Sequence, residues 1–200
     1  DRINERRERV VLNVDLSSAQ ARGTDLRSGD VLRIPAARPT LANSVQLKGH
    51  VQRPSSFQYR RGMRLTDVIP SVDDLKPSAD ARYVMIRREE PGSQRIAVVS
   101  ASLEEAWRAR TTDANPLLEP RDQVFVFDAE SGRAQYLDPV LQELKLQSSS
   151  GQPSQIVRVS GRVRAEGEFP LEPGMTVSDL VRAGGGLDEQ AFGGDAELAR

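Results

Sequence analysis

Two hundred residues, 38% of them hydrophobic and 4% aromatic, suffice for ordinary cores in one or two domains. The 28 cations nearly cancel the 29 anions, so no global field draws in nucleic acid, and 25 of the cations are arginine, the lysines being Lys48, Lys76 and Lys145. Without cysteine there are neither disulfides nor thiolate metal sites, and no apolar run approaches the roughly 20 residues that span a bilayer.

The N-terminus, Asp1-Arg2-Ile3-Asn4-Glu5-Arg6-Arg7-Glu8-Arg9, is charged and lacks a secretory apolar core. The expectation is a cytoplasmic chain or a piece of a longer one. Arg9–Val14 reads as a strand. Leu26-Arg27-Ser28-Gly29-Asp30-Val31-Leu32-Arg33-Ile34 parallels Leu118-Glu119-Pro120-Arg121-Asp122-Gln123-Val124-Phe125-Val126. Residues 1–36 are therefore expected to form the C-terminal half of a module.

Val45–Val51 alternates apolar and polar residues, the signature of a half-buried strand. A turn at Arg53-Pro54-Ser55-Ser56 leads to a second short strand opened by Phe57. Gly62-Met63 introduces a helix of roughly two turns. Arg82–Arg87 and Arg95–Val99 read as a hairpin around Pro91-Gly92, followed by a short helix at Leu103–Ala109. Pro120-Arg121-Asp122 turns the chain into a last strand, Gln123–Phe127. The order β-β-α-β-β-(α)-β makes 41–130 a complete β-grasp-like module. Residues 137–155 are expected to be a linker with a short amphipathic helix at Pro139–Gln147, carrying Val140, Leu141 and Leu144.

Residues 157–200 then lie over 45–88 at a constant offset of 112, with ten identical pairs, among them Gly49/Gly161, Phe57/Phe169, Gly62/Gly174, Met63/Met175 and Asp67/Asp179. A self-match at fixed spacing marks a module used more than once. In this copy Thr176 and Asp179 have the spacing of a capping pair, and Gly184-Gly185-Gly186 suits a helix C-cap. The predicted fold class is α+β: tandem β-grasp-like modules, each a small mixed sheet crossed by a short helix. Residues 156–200 form the N-terminal half of a further module. A half module exposes a sheet edge and half a core, so 156–200 and 1–36 are expected to complement each other, within a chain or between neighbours.

Reaction chemistry is sparse. His50 is the only histidine, and it sits where the second copy has Arg162. The acidic pairs Asp73-Asp74, Glu89-Glu90 and Glu104-Glu105 are adjacent in sequence, so their side chains diverge and read as surface. The glycines at 184–186 follow a helix, whereas a phosphate loop precedes one. Trp107 shares a helix with Leu103 and reads as core. No catalytic, cofactor-binding or metal residue is assigned, and the chain is read as non-enzymatic.

Val159-Ser160-Gly161-Arg162-Val163, Gly167-Glu168-Phe169-Pro170, Pro173-Gly174-Met175-Thr176 and Ala183-Gly184-Gly185 resemble the soluble-ligand-binding β-grasp (SLBB) repeat. The first copy agrees through Gly49-His50-Val51, Arg53-Pro54, Gly62-Met63 and Asp67-Val68-Ile69. It departs at Ser55, where the repeat usually has glycine, and at Val72-Asp73-Asp74, which replaces the A-G-G helix end. By the same resemblance, Ala196–Arg200 looks like the repeat's next strand.

Tandem SLBB modules resemble bacterial polysaccharide export proteins. The resemblance implies a scaffold in capsule or exopolysaccharide export, periplasmic and associated with the outer membrane. It also implies three partners: copies of itself in a ring, an inner-membrane polysaccharide co-polymerase and an acidic polysaccharide. The alternative is a small-ligand-binding SLBB module for a sugar or cofactor. The residues proposed to contact glycan or a neighbouring module are basic: Lys48, His50 and Arg53 on one copy, Arg158, Arg162 and Arg164 on the other. Forked donors in a row suit uronic acids or phosphates.

Overall fold

The computed structural model describes residues 2–3, 9–10, 22–31, 43–93, 95–130, 133–149, 151, 153–191 and 196–199. Two compact units are present, 1–39 and 40–200. In the first unit, β1 (Arg2–Ile3) pairs antiparallel with β2 (Arg9–Val10). The strand expected over Arg9–Val14 thus begins as foreseen, and its remainder lies outside the described residues. The Leu26–Asp30 turn closes with Asp30 N–H donating to Arg27 O at 3.0 Å and Arg27 N–H to Asp30 Oδ2 at 2.8 Å. In the second unit Asp122 N–H donates to Glu119 O at 3.2 Å, and Glu119 N–H to Asp122 Oδ2 at 2.8 Å. Gly29 and Arg121 both take positive φ, +90° and +73°. The parallel between these stretches is therefore local geometry as well as sequence.

The second unit holds a five-stranded mixed sheet, ordered β4-β3-β7-β5-β6. Its strands are β3 (Ser44–Gly49), β4 (Ser55–Gln58), β5 (Ala79–Glu89), β6 (Ile96–Ala101) and β7 (Gln123–Asp128). β3 runs parallel to β7 and the other pairs are antiparallel. Helices α1 (Leu65–Val68) and α2 (Leu103–Arg108) cover one face. That face buries Val45, Leu47, Leu65, Ile69, Leu103, Leu118, Val124 and Val126, with Trp107 packed against them.

The opposite face carries Tyr83, Met85, Val98, Phe125 and Phe127. It is covered by α3 (Ala134–Leu146) through Leu137, Val140, Leu141 and Leu144, and by Phe169 and Ala183 of the second copy. Burial on both faces explains the unbroken apolar run Tyr83-Val84-Met85-Ile86, whose alternate side chains enter opposite cores.

Four local expectations need correction. α1 has one turn where two were expected, because Pro70 disfavours helical backbone at Ile69. After it, Val72–Asp74 forms a 3₁₀ turn capped by Ser71, whose N–H and Oγ–H both meet Asp74 Oδ2. The helix expected from Pro139 begins five residues earlier and is packed into the core; its apolar stripe outweighs the one intrahelical bond that Pro139 lacks. Residues 196–199 form no strand, although their counterpart is the middle of β5. β5 is held between β6 and β7, and no such pair flanks the second copy among the described residues. Both short second strands also start two residues before their phenylalanines, at Ser55 and Gly167.

The start of the β6 edge is capped by a side chain. Ile96 N–H donates to Gln147 Oε1, and Gln147 Nε2 donates to Ile96 O at 3.1 Å, so a side-chain amide takes the place of a neighbouring strand.

Candidate functional site

The second copy consists of β8 (Ile156–Val159), β9 (Gly167–Pro170) and α4 (Val177–Ala183). It repeats the backbone pairing of the first. Val45 faces Phe57 and Val157 faces Phe169. Val51 bridges Leu75 and Val163 bridges Leu187. Asp67 Oδ2 accepts the Arg64 N–H at 2.7 Å, and Asp179 Oδ2 accepts that of Thr176 at 2.9 Å. Gln52 N–H donates to Asp74 O and Arg164 N–H to Gly186 O, so the substituted Val72-Asp73-Asp74 loop still presents the same carbonyl. α4 runs two turns to its cap at Gly184, with Gly185 and Gly186 at φ +80° and +90°, as its sequence predicts.

The two copies are joined by a buried polar seam. Arg133 lies just before α3, with its side chain 4% exposed. It donates to Asp80 Oδ2 and stacks over the Tyr83 and Phe127 rings, at 4.9 and 5.2 Å from their centroids. Burial depresses the Arg133 pKa against the pull of Asp80, and pushes the Tyr83 hydroxyl up. Next to it, Glu172 Oε2 accepts the Ser100 N–H at 2.5 Å, while Arg182 reaches Ser100 Oγ at 3.4 Å and Asp179 at 3.0 Å. Burial raises the Glu172 pKa, opposed by the Ser100 hydrogen bond. Tyr83 Oη, Arg133 Nη1, Glu172 Oε1 and Arg182 Nε are buried without a hydrogen-bond partner among the described residues.

Two clefts flank this seam. One, of about 380 Å³, is bordered by Arg133, Asp138, Arg164, Glu166, Glu168 and Phe169. The other, of about 290 Å³, lies between Arg82, Ser102, Glu105, Ser178 and Arg182.

The basic residues singled out in the sequence are spread along both copies. Lys48 Nζ donates to Gln123 Oε1 at 2.9 Å and lies 5.6 Å from the Phe125 ring centroid; burial, then Arg87, lowers its pKa. His50 Nε2 meets Pro77 O at 2.6 Å, and Arg53 is exposed. Arg158 is exposed, Arg162 lies 3.7 Å from Asp188, and Arg164 packs its stem beside Gly185. These contacts stay within each copy, and among the described residues they do not bring Lys48, His50 or Arg53 to the other three. Four of the adjacent acidic residues serve local structure: Asp74 caps, Glu89 pairs with Arg87 and Arg121, Glu90 with Arg95, and Glu104 with Arg108.

Sequence reasoning missed Arg133, Asp80, Glu172 and Arg182. Nothing in spacing sets them apart from surface charges, because their burial depends on how the second copy docks. Arg88 also stayed hidden. Its guanidinium forks onto Asp122, with Nε–Oδ1 3.0 Å and Nη2–Oδ2 2.7 Å, and Asp122 is fully buried. The available signal was that Arg88 recurs as Arg200 and Asp122 as Asp30.

No curated protein matches the chain. The SLBB domain family model matches residues 44–72 and 156–200. These are the stretches that share one hydrogen-bond skeleton at the offset of 112, and the match supports reading each as an SLBB module.

Proposed function

We propose that the chain is a non-enzymatic scaffold of a bacterial exopolysaccharide or capsule export system, working at the periplasmic side of the outer membrane within an oligomeric conduit. The observation that carries this reading is the apolar core shared between the sheet that holds one stretch matching the SLBB model and the other such stretch. The second copy is docked on the back of the first sheet by α3, a shared apolar core and paired charges, as stacked repeats that bury a common core are. SLBB domains occur in polysaccharide export proteins and bind ligands rather than carry out reactions. Arg158, Arg162 and Arg164 offer forked donors to an acidic polymer. An inner-membrane co-polymerase is the proposed upstream partner.

Removing the chain from the cell that makes it is expected to abolish surface polysaccharide while polymer accumulates inside. Unchanged surface polymer sinks the proposal. The two clefts at the seam favour one alternative, a small-ligand module for a sugar or cofactor. Saturable thermal stabilisation by cobalamin or by a short acidic oligosaccharide, with normal export in cells lacking the chain, decides for that alternative.

A further inference from the structure

The second copy leaves open a groove that the first copy fills with its own polar side chains. On the α1 side Thr66 is buried, and its hydroxyl accepts Asn115 Nδ2 at 2.8 Å. Trp107 Nε1 donates to Ile69 O at 2.9 Å, and Arg110 Nη2 donates to Pro70 O at 2.8 Å. At the offset of 112 the counterparts of Thr66, Ile69 and Pro70 are Ser178, Val181 and Arg182. Their helical spacing sets them on one face of α4, and that face borders the cleft of about 290 Å³.

The facing wall belongs to the first module: Arg82 of β5, Ser102 just before α2, and Glu105 in its first turn. Arg82 and Glu105 are exposed, and neither charged group has a partner among the described residues. Glu104 on the same wall is engaged by Arg108 at 3.9 Å. Arg182 donates to Asp179 at 3.0 Å and to Ser100 Oγ at 3.4 Å, while its Nε is buried without a partner. Ser102 Oγ accepts the Glu105 N–H at 3.3 Å and keeps its own proton to donate. The cleft thus offers one guest an unpaired cation, an unpaired anion and the hydroxyls of Ser102 and Ser178.

Among the described residues no aromatic ring lines it, and its apolar side chain is Val181, so the guest is hydrophilic. A lone ammonium presents its donors at one point, whereas Ser102, Glu105 and Ser178 stand on both walls. Hydroxyls carried round a ring meet such spread groups, and a carboxylate offers a guanidinium two oxygens. We propose that this cleft binds a uronic acid unit, its carboxylate on Arg82 beside Arg182 and its ring hydroxyls among Ser102, Glu105 and Ser178. The proposal deepens the small-ligand reading of the seam and rests on it. One wall comes from each copy, so the guest also stabilises their docking.

The test titrates the 200-residue chain with sodium glucuronate and follows amide NMR shifts, with glucose and acetate alongside. Expected is a saturable response at Ser102, Glu105, Ser178 and Arg182. Glucose, which lacks the charge, and acetate, which lacks the hydroxyls, are each expected to bind about tenfold more weakly or worse. Arg82→Ala and Ser178→Ala alter exposed side chains, and each is expected to weaken glucuronate binding, Arg82→Ala by about tenfold or more. Arg61→Ala removes an exposed arginine outside the cleft and is expected to change nothing, which sets simple charge attraction aside. Shifts that stay linear to about 10 mM glucuronate overturn the proposal. So does equal binding of glucose or acetate, or a glucuronate response indifferent to both cleft variants. A response confined to Gly167 and Phe169, in the other cleft, also overturns it while leaving the small-ligand reading in place. Saturable binding of cobalamin without glucuronate does the same. Loss of polymer export in cells speaks to the scaffold role and leaves these shifts unchanged.

Discussion

Gly49 and Val126 meet so closely that the carbonyl oxygen of Val126 lies 2.0 Å from where a Cβ on Gly49 would stand, while the His50 N–H donates to that same oxygen at 2.8 Å. Only glycine lets β3 and β7 approach here. Gly49→Ala adds this clash to the about 1–2 kcal/mol of a non-glycine residue at positive φ, and is expected to unfold the module. Gly161→Ala carries the backbone penalty alone and is expected to cost about 1–2 kcal/mol. Urea denaturation of the two variants at low concentration checks the contrast.

Arg88 and Asp122 tie β5 to the turn before β7. Arg88→Ala strands a fully buried carboxylate whose remaining partner is the Glu119 N–H, and is expected to cost about 3 kcal/mol or more. Arg88→Lys keeps the charge without the fork and is expected to fall between Ala and wild type. Equilibrium unfolding monitored at Trp107 reads both.

At the seam, Arg133→Met leaves the buried Asp80 carboxylate without its countercharge and with the Arg82 N–H as its remaining partner among the described residues, with an expected loss of about 3 kcal/mol or more. Replacing both at once, Arg133→Met with Asp80→Leu, is expected to recover most of that loss, because the desolvation of two charges disappears with their attraction. A double-mutant cycle gives the coupling; additive losses contradict the pairing.

The pH response has two parts of opposite sign. Glu172 has a folded pKa above its ordinary 4.5, chiefly through burial. The folded state therefore holds this proton more tightly, and stability is greatest below 4.5 and declines as pH rises through the raised value. Glu172→Gln keeps an oxygen for the Ser100 N–H without ionising, and is expected to remove that decline. Asp179 lies below its ordinary 3.8 because the Thr176 hydroxyl and N–H donate to its carboxylate. Its contribution is present above 3.8 and is lost as the pH falls further. Melting temperatures from about pH 3 to about pH 8 separate the two.

The repeat was legible in sequence because glycines at positive φ and the apolar rhythm of short strands are local demands. Gly49/Gly161, Gly62/Gly174 and the Asp67/Asp179 caps recur with matching hydrogen bonds. Less legible was whatever depends on neighbours. The shortness of α1 follows from Pro70. The burial of α3, expected to serve as a linker, follows from the back face of the sheet needing cover. Arg133 reads as one more arginine among 25 until the stacked rings of Tyr83 and Phe127 give it a floor. The candidate basic residues were legible only as charges; that Lys48 leans on Phe125 and His50 holds Pro77 O came from the fold.

The Gln147 amide occupies both polar groups of Ile96, the first residue of the edge strand β6. An extended chain from a partly folded neighbour finds no free donor or acceptor at Ile96, so pairing along β6 cannot begin at that residue. Gln147→Ala is the change that removes this guard, and slow turbidity on storage is its visible sign.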